Sequence, residues 1–204
     1  AGAEVLSWRS NPARPRTERH RAQSDFPSPE HGVEFDTISK VGNAFFRWEF
    51  NSCESIVRGG EVFPIDYANA SPDVALTSLH YYFPWAITAL VRWCAFCVAD
   101  GRRMRIDVDT RPWFEIGDRD DLSYEEKLRA YRRLADDHFQ ADAYAEFCAG
   151  PLRHLDEAAH AWFHSAEFDR FLVDTVRSTF PSHEHEQFVA HYRGLLAAWA
   201  RDRP

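Results

Sequence analysis

The chain is nearly without lysine: of its 24 positively charged residues only Lys40 and Lys127 are lysines, and the others are arginines. It contains no G-x-x-x-x-G-K-[ST] phosphate-binding loop, no G-x-G-x-x-G dinucleotide fingerprint and no G-x-S-x-G nucleophile elbow. These absences argue against a P-loop nucleotidase, a Rossmann-type dehydrogenase and a serine hydrolase built on such an elbow. The formal net charge of −8 argues against a general nucleic-acid-binding protein.

Cysteine is also scarce, with four residues that all lie in apolar stretches, and no signal peptide precedes them. This pattern favours a reducing, cytoplasmic protein over a disulfide framework. Cys94 and Cys97 have C-x-x-C spacing, but no second pair accompanies them and they lie within an apolar helical stretch, which favours core packing.

The first 31 residues are polar and interrupted by proline. They carry five arginines against Glu4 and Glu18 up to residue 22. This composition predicts a disordered tail over residues 1–31 and not a basic arm for RNA, because Trp8 is the only aromatic residue among those charges.

Residues 45–67 have the pattern of an antiparallel hairpin. Paired glycines in Arg58-Gly59-Gly60-Glu61 reach the positive φ angles of a tight turn. The apolar residues that predict the two buried strands are Phe45, Phe46, Trp48 and Phe50, then Val62, Phe63 and Ile65. Val33 to Val41 is expected to end a preceding helix.

Oxygen-bearing side chains follow these predicted strands. Glu49 and Asn51 are two residues apart and are expected to share a strand face, and Asp66 and Asn69 leave the second strand. Carboxylate and amide oxygens at one end of a hairpin suit Mg²⁺, which shares its remaining coordination with phosphate oxygens and water.

Strand, turn, strand, acid, Asn and then Ala70-Ser71-Pro72 resembles the metal-binding end of the ATP-grasp superfamily, in its glutathione-synthetase-like and peptide-ligase branches. The resemblance covers about residues 37 to 100 and implies Glu49, Asp66 and Asn69 as Mg²⁺ ligands. The family spacing is acid-x-Asn, whereas Asp66 and Asn69 are one residue further apart, which requires a bulge at Ala68. Glu49 and Asn51 have the acid-x-Asn spacing and remain an alternative match.

The resemblance implies an enzyme, a Mg²⁺-dependent carboxylate–amine ligase that uses ATP as co-substrate through an acyl-phosphate. Arg47 is the catalytic candidate, since an arginine beside a metal–phosphate site neutralises charge on the transferred phosphoryl group; pairing with Glu49 or Glu61 is the alternative. No segment here matches the adenine pocket or the phosphate lysines. The chain is therefore expected to be the C-terminal portion of a longer ligase that binds Mg²⁺-ATP weakly or not at all.

The remainder predicts helices. One buried helix is expected over residues 84–99, and Arg92 within it argues against a membrane span. Alternation predicts an extended segment over 105–116, and from residue 122 a capping box at Ser123–Glu126 opens a helical half. The expected fold class is α+β: a tail over 1–31, part of an ATP-grasp-like domain over 32–118 and a helical extension over 119–204.

A competing interpretation is a non-catalytic α-helical protein-interaction domain in which the hairpin is only structural. His160 and His164, and the His183-Glu-His185-Glu186 run, have spacings that bind metal only with a further ligand, and each is read as structural. Neither the substrates nor the oligomeric state follows from the sequence.

Overall fold

The computed structural model describes residues 1–7, 29–103 and 109–202. Helix α1 spans Pro29–Phe46, and an antiparallel hairpin follows with strands β1, Ser52–Arg58, and β2, Glu61–Asn69. The fold class is α+β, mainly helical with one two-stranded sheet among these residues. The remaining helices are α2 Leu76–Leu79, α3 Phe83–Ala99, α4 Arg111–Gly117, α5 Tyr124–Phe139, α6 Ala141–Ala149, α7 Leu155–Phe163, α8 Ala166–Thr179 and α9 His185–Asp202.

Helix α1 continues through Phe46, so the strand predicted over residues 45–51 is wrong. Ala44 is fully buried and the ring of Phe45 packs edge-on against Trp113 at 5.7 Å. Together with Val41 these residues follow the spacing of one helix face, and that burial outweighs the strand propensity of the aromatic run. Gly42 does not break the helix; a Cβ there would approach the ring of Tyr67 to 3.3 Å.

The hairpin turn is confirmed. Gly59 and Gly60 have φ angles of 62° and 89°, as a two-residue turn between twisted strands requires. Two apolar residues predicted to be buried on the second strand are not: Phe63 is 44% exposed and Ile65 57%. The hairpin therefore shows apolar side chains on its surface.

The first seven residues are not the tail expected from the sequence. The Gly2 N–H donates to the Glu49 carbonyl over 2.8 Å, and the Glu4 carboxylate accepts from Arg92 over 2.7 Å and from Tyr144. These contacts anchor the segment because they pair polar groups that are partly removed from water. The expectation for residues 8–28 lies outside the described part of the chain.

The predicted helices from residue 122 onward are confirmed in type. Ser123 and Glu126 form the capping box of α5, and the Ser165 side chain caps α8. An extended segment was predicted over 105–116. Its residues 105–108 lie outside the described ranges, and Arg111–Gly117 is helical. Pro in the first turn of α4 and the burial of Trp113 explain this difference.

Two hydrophobic clusters form the core. One cluster contains Ala44 of α1 and buried residues of α3, α4, α5 and α6. The other contains buried residues of α2, the start of α3, α7, α8 and α9. Each contains residues from both sides of position 119, where the sequence was divided into two domains. That division stays a prediction.

The segment Leu76–Ala99 is the one described stretch that is long and apolar enough to cross a membrane, and 44% of its most apolar window is buried in the protein. Arg92 within it forms ion pairs with Glu4 and Asp156.

Candidate functional site

The pairing of β1 with β2 places two carboxylates opposite one another. Glu54 pairs with Asp66, and Ser52 pairs with Asn69. Between these pairs β1 advances two residues, 52 to 54, and β2 advances three, 66 to 69. The extra residue is a β-bulge, and it puts Asp66 and Asn69 on the same face despite their three-residue separation. The irregularity required by the Asp66–Asn69 spacing is thus present.

The polar groups on this face are exposed and loosely held. The Asn69 amide donates to the Ser52 hydroxyl over 2.7 Å. One carboxylate oxygen of Asp66 accepts a hydrogen bond from the backbone N–H of Ala68, two residues along the chain, over 3.3 Å. Both Asp66 and Glu54 are exposed, and neither forms an ion pair with another described residue.

Like charges directly opposite each other destabilise a sheet, and side chains in such a pair have Cβ atoms about 5 Å apart. A divalent cation between the carboxylates removes that repulsion. Oxygen ligands of this type suit Mg²⁺, Ca²⁺ or Mn²⁺. No cluster of three or more His, Cys, Asp or Glu side chains suited to a metal occurs in the described ranges. Any cation on this face therefore relies on water or phosphate for most of its coordination.

Glu49 lies elsewhere, in the loop between α1 and β1, so its placement on a strand was wrong. Its carboxylate accepts from Arg102 over 3.2 Å and lies 4.0 Å from the His138 ring. Arg102 also donates to the His138 carbonyl over 2.9 Å and stacks on Trp93 at 5.2 Å. Glu49 is thus part of a half-buried polar cluster that joins the loop to α3 and α5.

Arg47 belongs to the same cluster and not to a strand face shared with Glu49. Its φ of 61° is a left-handed conformation, which ends α1 and turns the chain into the loop. Its guanidinium donates to Nδ1 of His138 over 2.8 Å. The alternative of an Arg47 pair with Glu49 or Glu61 is not what the structure shows; the partner is a histidine that the sequence did not single out.

Asn51 connects the hairpin to α1. Its amide donates to the Asn43 side chain over 2.7 Å and to the Tyr67 carbonyl over 2.9 Å. Beneath it, burial raises the pKa of the Cys53 thiol to about 11. With Glu49 bound to Arg102 and Asn51 bound to backbone and Asn43, the two side chains of the acid-x-Asn alternative are engaged in different interactions.

The lysine nearest the hairpin in sequence is also engaged. Lys40 is buried and forms an ion pair with Asp136 on α5, which joins α1 to α5.

His160 lies on α7 and His164 directly follows this helix. Their rings stack with centroids 4.3 Å apart, and the Nδ1 of His164 lies within hydrogen-bonding distance of the His160 carbonyl.

The residue that the sequence analysis missed is Glu54. Counting outward from the Gly59-Gly60 turn pairs Arg58 with Glu61 and brings Glu54 next to Asp66 after one further bulge. Because residues 45–50 were interpreted as the first strand, the sequence pointed to Glu49, which lies five residues before the acid that pairs with Asp66.

No protein-family model, curated protein or solved structure matches this chain.

Proposed function

We propose that the hairpin is the metal-binding, phosphate-facing corner of an ATP-dependent carboxylate–amine ligase of the ATP-grasp type, with Glu54 in place of Glu49 as the first acid. The observation that carries the proposal is the register, in which Glu54 lies opposite Asp66 and the bulge returns Asn69 to the same face. An acid on one strand, with an acid and an amide on the next, is the arrangement that the resemblance implies.

In this proposal Glu54 and Asp66 provide the charged oxygens and Asn69 a neutral one. Mg²⁺ held by few protein ligands keeps several waters and binds substrate phosphates, which lets it offset the charge of a nucleotide. Arg47 donates to His138 of α5, so the proposal assigns it to holding the loop before the hairpin and not to catalysis.

The described residues offer little else to hold a nucleotide. Lys40 is paired with Asp136, and the Lys127 ammonium donates to the Gly117 carbonyl over 2.7 Å. We therefore expect the chain to bind divalent cations on the order of millimolar affinity and ATP more weakly than a complete pocket would.

The test is calorimetric titration of Mn²⁺, a substitute for Mg²⁺ at oxygen sites. Glu54→Gln and Asp66→Asn should each abolish the measurable heat. Glu61→Gln, an exposed acid of the same hairpin, is the matched control and should leave binding unchanged. Glu49→Gln distinguishes the two assignments: unchanged binding supports Glu54, and loss of binding in this variant alone contradicts it.

A parallel titration of ATP in excess Mg²⁺ examines the nucleotide step. Weak or absent binding is expected for this chain. Micromolar affinity that Glu49→Ala abolishes would show a nucleotide pocket centred on the loop instead of the hairpin.

One observation favours the second candidate function, a non-catalytic interaction domain. Ile56, Phe63 and Ile65 are 44–57% exposed on a two-stranded sheet. Absence of Mn²⁺ binding in the unmodified chain would favour this candidate over the ligase.

A further inference from the structure

The two strands of the hairpin have different outer edges. β2 contains Pro64 and the residues added by both register shifts, and these features hinder pairing with another strand. Its Tyr67 also packs over Gly42 of α1. β1 carries no proline, and β2 is its one partner strand among the described residues. The edge of β1 is therefore the one that can accept a further strand.

The backbone of β1 restricts how such a strand would pair. In a hairpin with a two-residue turn the flanking pair, Arg58 and Glu61, is hydrogen-bonded, and the hydrogen-bonding direction alternates along the strand. The N–H and C=O groups of Ser55 and Val57 then point to the free edge. An added antiparallel strand must bond to those two residues.

A second copy of β1 satisfies this condition and also matches in charge. If Ser55 pairs with Val57 of the second copy, Ile56 lies opposite Ile56 and Glu54 lies opposite Arg58. Twofold symmetry produces the Glu54–Arg58 pair twice. A shift of the register by two residues places Glu54 opposite either Ile56 or Gly60, and both opposite-charge pairs are lost.

The side chains on the exposed face fit the same arrangement. Phe63 is the cross-strand partner of Ile56. Phe63 and Ile56 of one copy would therefore continue into Ile56 and Phe63 of the other as one apolar row across four strands. Neither Glu54 nor Arg58 has an ion-pair partner within the described residues, so both are available.

We propose that the edge of β1 is an interaction surface for a second copy of this chain, joined antiparallel about a twofold axis at Ile56. The proposal requires neither metal nor nucleotide, and it concerns the metal-free chain, because a cation bound to Glu54 would compete with the Glu54–Arg58 pair. Because a single pair of strands buries less than a standard interface, we expect a reversible, concentration-dependent dimer.

Sedimentation velocity in EDTA, over a range of protein concentrations, tests the proposal. The unmodified chain should shift from monomer to dimer. Arg58→Glu and Glu54→Arg should each weaken dimerisation by roughly tenfold or more, because two attractive pairs become repulsive. The decisive sample is the equimolar mixture of these two variants, in which both cross-strand pairs are again of opposite charge and the dimer should return.

Cysteine cross-linking provides a second measurement. Ile56→Cys should form an intermolecular disulfide under mild oxidation, because the two residues face each other, whereas Val57→Cys, opposite Ser55, should remain at the level of the unmodified chain. A chain that stays monomeric at all concentrations overturns the proposal. A dimer whose variants are both unaffected, or whose mixture is not restored, overturns the β1 pairing. Mn²⁺ binding plays no part in these results, so their failure is separate from failure of the proposed metal site.

Discussion

Replacement of Arg102 by alanine is expected to lower the free energy of unfolding by about 3 kcal/mol. The Arg102 side chain is 14% exposed, and its guanidinium makes three kinds of contact: a hydrogen bond to the His138 carbonyl, a pair with Glu49 and a stack on Trp93. The charged hydrogen bond contributes about 1.5 kcal/mol and the stack about 1 kcal/mol. The pair with Glu49 adds less than about 1 kcal/mol, because that carboxylate is 37% exposed and water screens it.

Urea unfolding followed by circular dichroism measures this loss. Arg103→Ala, a neighbouring exposed arginine, is the control and should change stability by less than about 0.5 kcal/mol. Arg102→Lys should recover only part of the stability, since an ammonium lacks the planar fork of a guanidinium. Equal stability of Arg102→Ala and the unmodified chain would refute the claim that this cluster secures the loop before the hairpin.

Two further predictions concern the docked first residues and the thiols. Gly2→Ala should detach the N-terminal segment, because a Cβ there would lie 2.0 Å from the Trp93 ring and the φ of 54° disfavours alanine. The amides of the first residues should then exchange hydrogen faster in Gly2→Ala than in the control variant Ala3→Gly. Burial raises the pKa of both Cys53 and Cys97 to about 11. Iodoacetamide at pH 8 should therefore label the exposed Cys94 first, which mass spectrometry can follow. Early labelling of Cys53 would contradict this prediction. Since the folded pKa of Cys53 is raised, its contribution to stability is complete below about pH 9 and is lost between pH 9 and 11.

Local signals in the sequence predicted those parts of the fold that local interactions determine. The Gly59-Gly60 turn, the capping box at Ser123 and the cap at Ser165 each depend on a few neighbouring residues. The same is true of the helix before Asp100, where the apolar run and the terminating Gly101 lie side by side in the chain. The predicted burial of this helix is only partial, since Val91 and Val98 are 48% and 82% exposed.

The end of α1 could not be predicted in this way, because it depends on residues far away in sequence. Phe45 is helical because it packs against Trp113. Glu49 lies in the loop and not on the predicted strand, because its carboxylate contacts Arg102 and His138. A strand-like aromatic run contains no information about those partners. For this reason the candidate first acid is Glu54 in place of Glu49. Asp66 and Asn69 remain candidates, because the sequence already placed both at the end of the strand that follows the Gly59-Gly60 turn.

The direct test of the proposed metal site on the hairpin is the position at which a paramagnetic ion binds. Substoichiometric Mn²⁺ added to isotope-labelled protein should broaden the amide signals of Glu54, Asp66 and Asn69 first, since relaxation falls steeply with distance from the ion. Signals of Arg102 and His138 should remain sharp at the same Mn²⁺ ratio. Broadening centred on Glu49, Arg102 and His138, or uniform broadening of all exposed acids, would contradict the assignment of the metal to the hairpin.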